Sequence, residues 1–136
     1  MSIQRQIINN IEKDFYKGKI IILLGARQVG KSTLIQMLPS LKLNNTLWLD
    51  GENADVHQLL KNANSERLKQ LAGNNKVVVI DEAQKIENIG SILKLFSDYC
   101  KEIQVIASGS SSFELRNSLN EPLTGRKFEY RLFPVS

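Results

Sequence analysis

The sequence predicts an α/β domain, a three-layer α/β/α sandwich built on a mostly parallel sheet. Short runs of β-branched residues alternate along the chain with longer segments of helical periodicity. The runs Thr46–Leu49, Lys76–Ile80 and Ile103–Ala107 are separated by about 26 and about 22 residues, enough for helical crossovers between parallel strands. A length of 136 residues, 42% of them hydrophobic and 24% charged, is typical of one folded domain, residues 1–136.

The first helix is predicted over residues 3–15, and the first strand follows it. Five apolar side chains fall on one side of that helix: Ile3, Ile7, Ile8, Ile11 and Phe15. Gly18 ends the segment, and Ile20–Leu24 is apolar at every position. A run without polar alternation is typical of a central strand that helices cover on both faces.

Two helices and one strand are predicted next. Residues 31–38 form a helix that ends because Pro39 cannot supply the next backbone donor, and its buried residues are Leu34, Ile35, Met37 and Leu38. Thr46–Leu49 is the second strand. Residues 53–72 form one helix, which Gly73 ends.

The second half of the chain repeats this alternation. Strands are predicted at Lys76–Ile80 and Ile103–Ala107, with a helix over residues 86–100 between them. The inward face of that helix consists of Ile89, Ile92, Leu93, Phe96 and Tyr99. A further helix is predicted over residues 113–119 and a last strand over residues 127–133.

The segment between the first strand and the second helix has the spacing of a phosphate-binding loop. It reads Gly25-Ala26-Arg27-Gln28-Val29-Gly30-Lys31-Ser32 and continues into Thr33. The two glycines permit backbone angles that turn successive N–H groups inward as an anion nest at a helix N-terminus. Lys31 adds a charge for the β- and γ-phosphates, and Ser32 offers a hydroxyl to Mg²⁺. The alternative is a glycine-rich turn that matches by coincidence, but the flanking strand and helix favour a phosphate site.

Two adjacent carboxylates follow the Val77-Val78-Val79-Ile80 run. Asp81 and Glu82 are expected at the C-terminal end of a parallel strand, where open α/β sheets bind ligands. Because strand neighbours point to opposite faces, Asp81 can hold Mg²⁺ through water while Glu82 polarises an attacking water. An acidic strand end that caps the next helix is the alternative, and the phosphate loop favours the catalytic interpretation.

Four stretches, read in order, resemble the ATPase core of bacterial and archaeal AAA-type P-loop ATPases, particularly those with a nuclease-like C-terminal domain. They are GARQVGKST, VVVIDEAQKI, VIASGSSSFEL and LTGRKFEYRLFPVS, and the resemblance extends from Ile3 to Ser136. It implies the strand order 5-1-4-3-2, ATP as the nucleotide and Glu82 as the catalytic glutamate.

The resemblance also implies a polar sensor of the γ-phosphate and an arginine that reaches a phosphate. Ser108 matches the sensor best and Ser110 next, although the serine-rich stretch equally suits a flexible turn. Arg126 occupies the arginine position, with a solvated arginine at the start of a strand as the alternative.

Relatives continue beyond FPVS into a helical lid and the nuclease-like domain, so the chain is expected to be an N-terminal fragment. Without an arginine finger from such a region, which raises the rate about 10³- to 10⁵-fold, ATP hydrolysis is expected to be slow. A DNA or protein partner is expected through that region, and the oligomeric state is left open. A nucleotide-dependent switch without turnover and a DNA-binding module are the competing functions.

Charge and cysteine content restrict the setting. The net charge of +4 attracts phosphates weakly without establishing a nucleic-acid partner. One cysteine and one histidine suggest neither a disulfide nor a metal cluster, and the sequence offers no signal peptide or membrane span, so a cytoplasmic protein without membrane contact is expected. Four other residues are interpreted structurally. His57 is expected to be solvated and Cys100 to be a buried thiol. Trp48 is expected to pack against the sheet, with stacking on adenine as the alternative, and Asp50 to cap a helix, with an indirect contact to the metal as the alternative. The sequence lacks the guanine-recognition stretch of GTPases, which favours adenine as the base of the bound nucleotide.

Overall fold

Five parallel strands form a single sheet in the order β2-β3-β4-β1-β5, in a computed structural model that describes residues 3–25, 30–110 and 122–132. The strands are β1 Ile20–Gly25, β2 Thr46–Asp50, β3 Val77–Asp81, β4 Gln104–Gly109 and β5 Lys127–Leu132. Read from the other edge, this is the expected order 5-1-4-3-2. The predicted three-layer architecture is confirmed.

Six α-helices are described on the two faces of the sheet. They are α1 Ile3–Lys13, α2 Lys31–Gln36, α3 Pro39–Leu43, α4 Ala54–Leu60, α5 Ser65–Ala72 and α6 Ile89–Tyr99. None of the described helices is long and apolar enough to cross a bilayer. The predicted helix over residues 113–119 and the strand end at Phe133 lie outside the described residues.

The strands bury both faces. In β1, Ile21 and Leu23 pack with helices α1 and α2 on one face, whereas Ile20, Ile22 and Leu24 pack with helices α4, α5 and α6 on the other. Every residue of β1 is buried, and the strand pairs with β4 on one side and β5 on the other. The continuous apolar run therefore does mark the central, doubly covered strand.

Three predicted helix boundaries are wrong. The helix predicted over residues 53–72 is two helices: the Asn53 side chain accepts from Asp55 N at the start of α4, and the Asn64 side chain accepts from Arg67 N at the start of α5. The helix after the loop ends at Gln36, and Pro39 occupies the first turn of α3 instead of ending α2.

The helix predicted over residues 86–100 begins only at Ile89, after a 3₁₀ turn over Ala83–Lys85. Two side chains predicted to be buried are exposed, Met37 by 45% and Tyr99 by 58%, since each lies at the end of its helix beyond the packed face. Cys100 is a buried free thiol, as expected.

Candidate functional site

The candidate site lies at the C-terminal edge of the sheet, where β1, β3 and β4 end side by side. Gly25 is the last residue of β1, and its neighbour Leu24 pairs with Gly109 at the end of β4. Ile80 pairs with Ala107, so Asp81 and Ser108 follow at the same level of adjacent strands. The parallel topology therefore brings together residues that are far apart in the sequence.

Gly30 sets the direction in which the chain enters helix α2. Its φ is +73° and its ψ is +38°, the left-handed conformation, and its carbonyl accepts from Leu34 N at 2.9 Å. A Cβ at this position would meet nothing within 4 Å, so the requirement for glycine is conformational. The predicted contacts of Ala26, Arg27, Gln28 and Val29 with a nucleotide lie outside the described residues.

The buried side chain of Lys31 bonds to the backbone at the other end of the phosphate-binding segment. The side chain is only 4% exposed, and Nζ donates to the carbonyl of Gly25 at 2.7 Å. The bond joins the first turn of α2 to the end of β1, the two anchors of the segment between them. An ammonium has three donor hydrogens, so it can hold this carbonyl and still serve an anion. Thr33, the last residue predicted to contact the nucleotide, is exposed on α2.

Asp81 joins three elements through its carboxylate. Oδ2 accepts from Ser32 Oγ on α2 at 2.6 Å, and Oδ1 accepts from Ser108 Oγ on β4 at 2.6 Å. The same Oδ1 also accepts from the backbone N–H of Glu82 at 3.0 Å. Hydrogen bonds to an ionised acceptor are about twice as strong as neutral ones, so this carboxylate fixes the positions of both hydroxyl groups.

The oxygens of Ser32 and Asp81 suit a magnesium ion. Because the Ser32 hydroxyl donates its hydrogen bond to Asp81, its lone pairs can face a cation. Among the residues that the structure describes, no three His, Cys, Asp or Glu side chains cluster as a metal site. An Mg²⁺ ion here would bind the Ser32 oxygen, be held by Asp81 through water, and complete its shell with water and phosphate, as this ion commonly does.

Glu82 is held in an uncommon backbone conformation directly after β3. Its φ is +51° and its ψ is +47°, and its carbonyl accepts from Lys85 N at 3.1 Å in the 3₁₀ turn. Its side-chain Oε2 accepts from Gln84 Nε2 at 2.6 Å. A non-glycine residue in this region is strained, and such strain concentrates at functional sites.

Gly51 supports this turn from the neighbouring strand, and the sequence analysis missed it. Its N–H donates to the Asp81 carbonyl at 2.6 Å. A Cβ on Gly51 would lie 2.1 Å from the carbonyl oxygen of Glu82 and 2.7 Å from that of Asp81. The one available signal was a glycine directly after the strand that ends at Asp50.

Arg126 lies at the opposite edge of the sheet, too far from the loop to reach a phosphate bound there on its own chain, and a contact with a phosphate elsewhere stays a prediction. Its carbonyl accepts from Ile20 N where β1 begins, and β1 and β5 run parallel from there. Six residues of strand, about 20 Å at 3.3 Å each, separate it from the level of the loop. Its guanidinium pairs instead with Asp98 at 2.8 Å. Hydrogen bonding to Arg126 is the main reason that the pKa of Asp98 lies below its usual range.

Of the remaining predictions, one is corrected. Asp50 pairs in register with Asp81 at the site edge, but it caps no helix: its side chain accepts from Glu52 N at 2.9 Å in a local turn. His57 is half-exposed, as expected, and its Nε2 lies 2.5 Å from the Gly51 carbonyl oxygen. Trp48 packs against the core as expected. Ser108, and not Ser110, is the serine that contacts Asp81.

Solved structures with the same fold include three whose titles name DNA or a Holliday junction. Drosophila ORC bound to DNA is 12% identical, with a TM-score of 0.67, and the match covers 96% of this chain and 89% of that one. The Thermotoga maritima RuvB Holliday junction branch migration motor is 16% identical, with a TM-score of 0.60 and coverage of 96% and 43%. A structure of two coordinating Pif1 helicases, described in terms of DNA unwinding at forked double-stranded DNA, is 14% identical, with a TM-score of 0.59. That match covers 100% of this chain and 44% of the other.

At these identities the likeness establishes the fold alone, and the chain spans less than half the length of the RuvB and Pif1 chains. No curated protein matches the sequence. A family model, described as 'AAA domain', matches residues 17–136, which is most of the chain. The chain therefore belongs to the AAA domain family.

Proposed function

We propose that this AAA domain binds Mg-ATP at the C-terminal edge of its sheet and slowly hydrolyses the γ-phosphate by attack of water. The observation that carries the proposal is the Asp81 carboxylate, which holds the hydroxyls of Ser32 and Ser108 at 2.6 Å each. The buried Lys31 ammonium is anchored beside them, at the end of β1. This is the arrangement of charge and hydroxyl groups that phosphoryl transfer requires.

Each residue has a distinct proposed role. Lys31 and the loop amides bind the phosphates, and Ser32 and Asp81 hold Mg²⁺, which offsets charge on the phosphate oxygens. Glu82 orients the attacking water, and Ser108 senses the γ-phosphate. Since little covalent chemistry falls to the protein, positioning and electrostatic stabilisation supply the rate.

Binding is tested by thermal unfolding of the chain with Mg-ATP, Mg-ADP and Mg-GTP. A ligand at a hundredfold excess over Kd adds about 2.7 kcal/mol of stability, which raises Tm by roughly 9 °C for a domain of this size. We expect that shift with the adenine nucleotides and a smaller one with Mg-GTP. Absence of any shift at millimolar nucleotide would refute the proposal.

Two substitutions separate binding from turnover. Lys31→Ala should abolish the shift, with Lys69→Ala on the exposed face of α5 as the matched control. Glu82→Gln should preserve the shift and lower phosphate release, since only the orientation of water is removed. Loss of binding in both variants would contradict the assigned roles. Wild-type phosphate release at background would favour the competing function, a nucleotide-dependent switch.

A DNA partner is a second proposal, favoured by the titles of the similar structures and by the net charge of +4. Binding to DNA that weakens steeply between 50 and 200 mM salt would support it, because phosphate contacts release counterions. No binding at low salt would remove it for this domain. The resemblance also predicts a nuclease-like C-terminal domain beyond residue 136. We propose that ATP turnover would drive a conformational change in that region.

A further inference from the structure

The carboxylate of Glu82 is held by a side chain two residues further along the chain. Gln84 Nε2 donates to Glu82 Oε2 at 2.6 Å, and both side chains are half-buried. A short bond from an amide to a carboxylate is charge-assisted and directional, so it fixes the rotation of the carboxylate as well as its position. An ionised carboxylate has about four acceptor sites, and this bond leaves the others available to water.

The opposite end of the Gln84 amide shows that this orientation is specific. Within the described part of the chain, its Oε1 is one of two buried side-chain atoms that have no hydrogen-bond partner. If the amide were turned over, Oε1 would face the Glu82 carboxylate, and two acceptors would repel each other. The side chain thus leaves one polar atom unpartnered while keeping its donor on Glu82. Such an atom in a native fold calls for an explanation beyond stability.

The backbone holds both residues at a fixed separation. Glu82 O accepts from Lys85 N at 3.1 Å, and the buried Ala83 between the pair accepts from Ile86 N at 3.0 Å. Gly51 packs against the carbonyl of Glu82 from the side of β2. The 3₁₀ turn therefore presents the amide of Gln84 to Glu82 from a rigid element.

We propose that Gln84 is a positioning residue for hydrolysis, whose amide N–H holds the Glu82 carboxylate where it can orient the attacking water. The inference rests on the proposed function, in which Glu82 performs that step. Gln84 acts through Glu82, and it contributes nothing to nucleotide binding. A carboxylate released from this bond samples other rotamers, and misplacement of a reacting group by 1 Å can lower a rate about 100-fold.

The test measures phosphate release by the full chain with Mg-ATP. Gln84→Met, which keeps length but removes the amide, should lower kcat roughly 10- to 100-fold while KM stays within about twofold. Gln84→Glu, which keeps size and polarity but removes the donor, should lower kcat as well, so the inference does not depend on one variant folding. Gln70→Met, on the exposed face of α5, is the matched control and should retain kcat.

A double variant separates positioning from general stability. If Gln84 acts through Glu82, then Gln84→Met combined with Glu82→Gln should be no slower than Glu82→Gln alone. If kcat of the double variant were lower than that of Glu82→Gln by the whole factor that Gln84→Met causes alone, the inference would be overturned. A wild-type kcat in both Gln84 variants would also overturn it. In each case wild-type turnover leaves the proposed function standing. A wild-type chain that does not hydrolyse ATP would instead overturn the proposed hydrolysis, and the role of Gln84 with it.

Discussion

Replacement of Gly51 by alanine would place a methyl group where the structure has no room for one. The carbonyl oxygen of Glu82 lies 2.1 Å from the ideal Cβ position, and real Cβ contacts essentially never fall below 3.0 Å, so the two backbones must separate by about 0.9 Å. Such overpacking typically destabilises by about 2 to 3 kcal/mol, which corresponds to a fall in Tm of roughly 7 to 10 °C. The same displacement moves Glu82, and a shift of that size can lower kcat about 100-fold.

Thermal unfolding and phosphate release measure the two effects, with Gly125→Ala as the control. Gly125 has a φ of +75°, yet a Cβ there meets nothing within 4 Å. Alanine should therefore strain only the backbone, by about 1 to 2 kcal/mol, and leave kcat unchanged. If Gly51→Ala retained both the Tm and the kcat of the wild type, the inferred support of Glu82 by this glycine would be wrong.

Three further substitutions probe contacts at both edges of the sheet. Ser108→Ala removes the bond from a fully buried hydroxyl to the half-buried Asp81 carboxylate and should cost about 2 kcal/mol in thermal unfolding; a change in Tm below about 2 °C would argue against that bond. Arg126→Ala should leave the Kd for nucleotide unchanged. Because Arg126 lowers the pKa of Asp98 in the folded state, the stability that this pair adds is present above the ordinary aspartate pKa, about 3.9, and disappears below it. Urea unfolding at pH 2 to 7 should therefore show that the free energy of unfolding falls less at acid pH in the variant than in the wild type. An equal fall in both proteins would contradict the ion pair. Burial, and then the hydrogen bond to the Asp14 carboxylate, raises the pKa of Tyr130, so the wild type should lose stability as pH rises above about 10, and Tyr130→Phe should lose less over that range.

The strands could be predicted because their signal is local. Every β-branched run became a strand within one or two residues of its predicted bounds, and Ile20–Leu24 lies in the central strand. Helix boundaries were less accurate because single residues decide them. Asn64 starts a new helix inside a segment whose apolar spacing suits one continuous helix.

The candidate site was predictable where the loop pattern and the parallel strands bring residues together. Ser32 and Asp81 meet as these two features imply, and Ser108 lies beside them at the position that the family resemblance implies. The distance of Arg126 from the loop follows from its place before the last strand of a parallel sheet, whereas its expected contact with a phosphate came from the family resemblance. Gly51 was missed because its constraint comes from a different strand, and no pattern around residue 51 reveals that approach.

The burial of strand β1 has a consequence for how the domain unfolds. All six of its residues are buried, and parallel neighbours hydrogen-bond it along both sides. Amide protons in such a strand exchange with solvent only when the whole domain unfolds, whereas surface helices such as α3, which buries no residue, exchange through local fraying. The segment that we propose to bind the nucleotide therefore follows a strand that unfolds last.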